Sequence, residues 1–262
     1  VIEAATALQP LRENRRESAI FTDVDGTIAP IVERPEDAAV LPQAAKLLAE
    51  LGGGYALVGC VSGRRALDAK RLVGVEGIAY VGNHGFERLL PGEDTPSPNP
   101  GLDGHEGDAA QFVAAWDGDL AQHGLRREDK GAVQALHWRG AADEDTAEAL
   151  AHEIAGDAEW RGLFVGWGRK VLEIRPPVRV GKGRAIAQLL EGTAIRHALY
   201  AGDDRTDVDG FAALHGLRDD GRLETAICVG VVSPEAPEQL VDHSDLTVDG
   251  PEGFVELLRA LA

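Results

Sequence analysis
The chain of 262 residues has no methionine and only 2 cysteines. Cys60 and Cys228 lie in the apolar runs LVGCV and AICVG. They read as reduced core thiols, not as a disulfide framework. Without methionine, Val1 stands for an alternative start codon or for a trimmed chain, and the residues leave both open. No apolar run approaches the ~18 residues a membrane span needs. The N-terminal stretch VIEAATALQPLRENRRE lacks the basic-then-apolar order of a secretory signal. A cytoplasmic chain with no membrane partner is therefore expected. Positive charge is also scarce: 26 Lys and Arg face 44 Asp and Glu, a net charge of −18. That balance argues against nucleic acid and anionic membranes as partners.

What is present is rhythm. Short apolar runs at Ala19–Thr22, Tyr55–Val61, Ile78–Val81, His197–Ala201 and Thr225–Val231 read as buried strands. Helical patterns fall between them. Pro42–Leu51 is one, with the Gly52–Gly54 run read as its end; another begins near Arg64; a third is Gly183–Glu191, stopped at Gly192. Strand alternating with helix predicts an α/β fold with a parallel sheet covered on both faces. Ligands of such sheets sit beyond the carboxyl ends of the strands.

The rhythm breaks after Leu90. PGEDTPSPNPGLDGHEGD reads as a solvated surface linker. An amphipathic helix (Ala109–Gln122), a strand (Ala132–Trp138), a second helix (Glu144–Ile154) and two strands (Leu163–Gly166, Lys170–Ile174) follow. The spacing predicts a smaller α+β domain at 107–176 inserted into a core made of 1–106 and 177–262. Trp116 and Trp160 read as packing residues of that domain or of the core.

Five clusters fall at strand ends: DVDGT, VSGR, GNHG, GKGRA and YAGDDRTDVDGF. Each alone fits a cap or a turn. A calcium loop of the EF-hand type is excluded by register. Counting back from Gly26 or Gly210 puts Phe21 or Arg205 where the first acidic ligand belongs. Together the clusters describe a phosphoryl-transfer site. Asp23 suits a nucleophile, because carboxylates form aspartyl-phosphates. Asp25 suits an acid that protonates the leaving oxygen and later activates water. Thr27 offers a hydroxyl to phosphate, as does Ser62 with the backbone N–H groups from Gly63 onward, and Lys182 offers a cation. Lys182 is one of only five lysines. Asp203, with Asp23 and Asp25, can hold Mg²⁺, and Asp204 and Asp207 stand behind them. A divalent cation would offset the cost of unpaired carboxylates at the end of a buried strand. Arg64 and Arg184 are site groups or surface partners, and Arg64 is the one placed at the site.

DVDGT, SGR, the lysine of GKGRA, and GDDRTD resemble, in that order, the four motifs of the haloacid-dehalogenase-like phosphatases. GNHG, EDKGAVQALHWR and LEIRP resemble the trehalose-6-phosphate phosphatase branch. The resemblance runs from about Ser18 to the end. It departs where TDVD puts Val208 in the place of an acid. What it implies is a Rossmann-like core and a mobile cap that recognises sugar. It implies a Mg²⁺-dependent phosphatase that converts trehalose 6-phosphate to trehalose and phosphate. Glu128, Lys130 and Glu173 match the family's residues for sugar hydroxyls, and His137 and Arg139 match its HxR strand. Asn83 and His84 of GNHG join the substrate-binding set. A phosphosugar is the expected partner, and a monomer the expected state. Two alternatives stay open: a phosphatase or mutase for another phosphosugar, and a non-catalytic phosphosugar-binding domain.

Overall fold
The computed structural model describes residues 2–32, 34–234 and 236–262. In chain order the strands are β1 (Ser18–Thr22), β2 (Leu57–Val61), β3 (Ala79–Gly82), β4 (Glu87–Leu89), β5 (Ser97–Pro98), β6 (Arg126–Lys130), β7 (Val133–His137), β8 (Phe164–Gly168), β9 (Val171–Arg175), β10 (His197–Gly202), β11 (Thr225–Val232) and β12 (Leu246–Asp249). The helices are α1 (Ile2–Ala7), α2 (Gln9–Glu13), α3 (Pro42–Gly54), α4 (Ala66–Val73), α5 (Asp108–Ala114), α6 (Asp117–His123), α7 (Glu144–Trp160), α8 (Lys182–Leu190), α9 (Asp207–Asp219), α10 (Glu238–Asp242) and α11 (Gly250–Leu261). The fold is α/β. Among the described residues no helix is long and apolar enough to cross a membrane.

Two compact units divide the chain. The first joins Val1–Ser97 to Gly181–Ala262, and the second is Pro98–Val180. The division falls earlier and ends later than the 107–176 expected from composition. The reason lies in the stretch read as a solvated linker: Asn99 and Leu102 are buried, and Asn99 Oδ1 accepts the Gly101 N–H at 2.7 Å.

The sheet of the first unit runs β12-β11-β10-β1-β2-β3-β4-β5, parallel from β12 through β3. Its central strands are apolar without alternation because both faces are covered. In β1, Ile20 joins the core beneath α3, α4 and α11, while Ala19 and Phe21 join the core beneath α8 and α9. In β11, Ile227 and Val229 face the first core, and Ala226 and Cys228 the second. Both cysteines are free and buried, and burial pushes both thiols up. The chain leaves β1 toward β2 on one side, and β10 leads to β11 on the other. The sheet order thus reverses between β1 and β10, the crevice where such sheets bind ligands.

The second unit has an antiparallel sheet, β6-β7-β9-β8, against α5, α6 and α7. Leu136, Leu172 and Ile174 fill its core. Trp138 is buried there with its ring edge-to-face against Trp167 at 6.1 Å.

Three local expectations change. The Gly52–Gly54 run ends its helix from within, as the last three residues of α3, and a Cβ at Gly52 would come within 2.9 Å of Ile78, so the bare backbone permits that approach. The helix expected over Ala109–Gln122 is two, because the Ala115 and Trp116 N–H groups bond three residues back, to Phe112 and Val113, and the turn tightens. Trp160 ends α7 and is 83% exposed, so it is not a packing residue.

Candidate active site
Asp23 follows β1 directly and is 4% exposed, and its N–H donates to Ala201 O at 2.8 Å. Asp203 follows β10, the neighbouring strand. The switch in strand order therefore brings together two carboxylates that lie 180 residues apart in sequence. Gly26, with φ at +85°, makes the tight turn after Asp25; a Cβ there would lie 1.9 Å from Asp203 Oδ2. Glycine at this position is what lets Asp203 reach the site.

Lys182 opens α8 and is 2% exposed. Its Nζ donates to Asp23 Oδ1 at 2.9 Å and to Asp207 Oδ1 at 2.7 Å, with Asp204 Oδ1 at 4.0 Å. Asp207, fully buried at the start of α9, takes more than the lysine. Its Oδ1 accepts the Tyr200 hydroxyl, and its Oδ2 accepts the N–H groups of Asp203 and Asp204, each at 3.0 Å. Asp204 closes the turn that leads into α9, accepting from Thr206 N at 2.8 Å and Thr206 Oγ1 at 2.7 Å. Asp209, the second acid of α9, accepts the Gly183 N–H at 2.8 Å and so anchors the start of the lysine's helix. Neither Tyr200 nor Asp209 was a site candidate. TDVDG carries the signal for Asp209, but only the packing of α8 on α9 gives it a partner.

Charge in this cluster does not balance. Carboxylate oxygens of Asp23, Asp203 and Asp207 lie within 4.8 Å of one another, all buried, and among the described residues the one ammonium that meets them is that of Lys182, on Asp23 and Asp207. Burial, against the pull of Lys182, pushes Asp23 and Asp207 up. Asp203 is pushed up to about 7, first by burial and then by Asp207 and Asp204. Lys182 is driven up, since the carboxylates outweigh the burial that opposes its charge. Asp204 sits below its usual value, because Lys182 and its turn hydrogen bonds overcome burial. A hard cation fits such a donor set. Asp207 has both oxygens taken by four donors, so of these three it is Asp23 and Asp203 that could hold such an ion. Thr27 donates to Asp203 Oδ1 at 3.2 Å.

Asp25 stands outside the cluster. Arg64 grips it side-on: Nε reaches Oδ2 and Nη2 reaches Oδ1, both at 2.7 Å. Ser62 follows β2, and its Oγ accepts the Arg64 N–H at 3.1 Å. The Ser62 carbonyl accepts from His84 N at 2.9 Å, and the Arg64 carbonyl from Asn83 N at 2.7 Å. Asn83 and His84 both take left-handed backbone, φ 51° and 56°. Strain of that kind clusters at functional turns. A Cβ on Gly63 would lie 2.6 Å from His84 Cε1, so the imidazole covers the glycine that follows Ser62.

In the second unit, register aligns Glu128, Ala135 and Glu173 in one row across β6, β7 and β9. The two-residue period puts Lys130 and His137 on the same face. Lys130 Nζ donates to Glu173 Oε1 at 3.1 Å, Arg175 donates to Glu173 Oε2, and His137 Nε2 meets Glu128 Oε2 at 2.7 Å. Burial would raise the Glu173 pKa, but Arg175 and Lys130 together hold it below the ordinary value. The hairpin carrying Lys130 is fixed by fully buried Gln134, which donates to Asp129 Oδ1 at 2.7 Å and Gly131 O at 3.0 Å. Arg139 is not in this group; it is exposed and donates to Arg169 O at 3.4 Å. Arg175 and Gln134 were not among the candidates read from sequence.

A second group of ligand-type atoms, His215, Cys228 and Asp245, is a tertiary clamp. Asp245 Oδ2 accepts the Cys228 N–H at 2.8 Å and meets His215 Nε2 at 2.9 Å, and the buried thiol is pushed up, away from the thiolate a metal needs.

Known proteins resemble the chain over most of its length. The model of the Trehalose-phosphatase family matches residues 21–239. A trehalose-phosphate phosphatase of Mycobacterium tuberculosis is 32% identical over 249 residues, covering 87% of this chain and 61% of its own length. An uncharacterized glycosyl hydrolase of the same species is 35% identical over 223 residues, covering 81% of this chain and 16% of its own. The chain thus spans only part of the curated relatives it matches. The solved C-terminal domain of Candida albicans trehalose-6-phosphate phosphatase superposes with a TM-score of 0.72 at 19% identity, over 98% of this chain and 96% of that one, a likeness of fold. The matched residues take in all five motif clusters of the first unit and the whole sheet of the second, and the chain belongs to the trehalose-phosphatase family.

Proposed function
We propose that the chain hydrolyses trehalose 6-phosphate to trehalose and inorganic phosphate through an aspartyl-phosphate on Asp23. The observation that carries this reading is a buried Asp23 oriented by Lys182 at 2.9 Å beside Asp203, in a chain of this family. Asp23 attacks phosphorus and the bond to the sugar oxygen breaks. Asp25 gives that oxygen its proton, and trehalose leaves. Asp25 then takes a proton from water, the oxygen adds to phosphorus, and phosphate departs with Asp23 restored. Lys182 keeps Asp23 aimed through both steps. Ser62 and the N–H groups from Gly63 onward bind the non-reacting phosphate oxygens. Asp23 and Asp203 would hold Mg²⁺, which when bound would supply neutralising charge for the phosphate.

Phosphate release from a panel of phosphosugars, with and without chelator, tests the reading. Trehalose 6-phosphate is expected to lead the panel. EDTA should stop release and Mg²⁺ restore it, whereas Ca²⁺, with looser coordination, should inhibit. A different preferred phosphosugar would overturn the substrate. Isomerised product with no free phosphate would make the chain a mutase. Full activity in verified metal-free buffer would remove the metal role from Asp203.

The second unit supplies the sugar contacts in this reading. Glu173 can accept hydroxyl hydrogen bonds while Lys130 and Arg175 hold it ionised. Glu173→Ala is expected to lower kcat/KM for trehalose 6-phosphate by about 10²-fold or more, the scale of one or two charge-assisted hydrogen bonds. Activity on a small aryl phosphate should largely persist, since no group of the first unit changes. Equal loss on both substrates would assign Glu173 to the fold instead.

A further inference from the structure
The sequence places Arg64 among the substrate-binding residues, yet in the structure its guanidinium forks onto Asp25. Two parallel hydrogen bonds of 2.7 Å join it to both oxygens of Asp25. Such a fork fixes orientation as well as position, because only one rotamer of each partner satisfies both bonds. The main chain of Arg64 is itself pinned. Its N–H donates to Ser62 Oγ, and its carbonyl accepts from Asn83. Ser62 in turn hangs on β3 through its N–H to Val81 O at 2.9 Å. The grip on Asp25 therefore comes from the ends of β2 and β3, whereas Asp25 itself belongs to the turn after β1. The pair is only partly exposed, with side chains 22% and 38% accessible. A loose carboxyl on a surface turn would sample several rotamers, and an acid must meet one oxygen in one direction. In the acid form one Asp25 oxygen carries the proton it delivers, and the other keeps the bond to Arg64 that holds its aim.

We infer that Arg64 is a positioning residue for Asp25, not a clamp for the substrate phosphate. The inference rests on the phosphatase reading above. It makes a demand that phosphate binding does not. Help from Asp25 matters most when the departing oxygen is a poor leaving group. A sugar alkoxide needs the proton as the P–O bond breaks, and an aryl oxide of low basicity does not. A phosphate clamp would matter equally for both.

The test compares Arg64→Ala and Arg64→Lys with the unaltered chain, on trehalose 6-phosphate and on p-nitrophenyl phosphate. The parameter is kcat/KM, which reports the step that expels the leaving group. Arg64→Ala is expected to lose about 10- to 100-fold on the sugar phosphate, the range of misplaced general acid catalysis, and under about 3-fold on the aryl ester. KM should move little for either. Arg64→Lys keeps the charge but not the fork, and should recover only part of the loss. In an Asp25→Asn background, Arg64→Ala should cost almost nothing further on the sugar phosphate, since the group it positions is already gone. Equal losses on both substrates with raised KM, or additive losses in the double variant, would overturn the inference while leaving the phosphatase reading intact. An unaltered chain that releases phosphate from no ester would remove the reading, and the inference with it. Thermal melts of each variant separate a folding defect from a loss of positioning.

Discussion

Asp23→Asn should leave a folded protein with phosphate release reduced by about 10⁴-fold or more, the scale seen when one member of a covalent catalytic unit is removed. The amide is nearly the same size, and the main-chain bond from residue 23 to Ala201 O does not use the side chain. β1 keeps its five buried residues. What the amide lacks is a nucleophilic oxygen pair and the charge that Lys182 holds at 2.9 Å. Acid-quenched enzyme incubated with substrate should show, by intact mass, one added phosphoryl group in the unaltered chain and none in the variant. A variant that folds normally and keeps a tenth of kcat would sink the aspartyl-phosphate mechanism.

Lys182→Met should damage stability and activity together. The ammonium is the only cation within hydrogen-bond reach of Asp23 and Asp207, among the described residues. Removing one partner of a buried ion pair costs about 3–5 kcal/mol, because the remaining charge stays buried without compensation. Activity should fall by about 10³-fold or more as Asp23 loses its orientation. The stability loss should depend on pH. Asp23, Asp203 and Asp207 are all raised by burial in the folded state, so each favours the folded state when protonated. That contribution is lost as pH rises, for Asp203 between its ordinary 3.8 and about 7. Metal-free Lys182→Met should therefore unfold at lower denaturant as pH rises through that window and beyond it, since the lysine that lowers the Asp203 pKa is gone, and Mg²⁺ should recover part of the difference. Urea midpoints at several pH values measure this. A variant as stable as the unaltered chain at neutral pH would show that the carboxylates are not held by the lysine.

The sequence by itself determined the alternating core, because buried parallel strands are continuous apolar runs and their boundaries are local turns. β1, β10 and β11 lie within a residue of where the apolar runs put them. The identities of Asp23, Asp203 and Asp207 were legible for the same reason: each sits in a short cluster at the end of such a run. Lys182 was legible only as a scarce lysine between two glycines, since it opens α8 and directly follows no strand of the first sheet. Patterns of small or polar residues were less legible. The three glycines look like residues beyond the helix, yet they are the last three of α3, and Ile78 packs against Gly52. β6, with the sequence RREDK, has no apolar face to announce it and exists because β7 pairs with it. Tertiary structure alone decided the partners. Arg64 meets Asp25 across 39 residues, Lys130 meets Glu173 across 43, and Asp209 meets Gly183 across 26. A side chain's charge is written in its residue type, but its partner depends on which strand ends the sheet order brings together. That order is set by burying two apolar faces at once, a property of the whole chain that no short window contains.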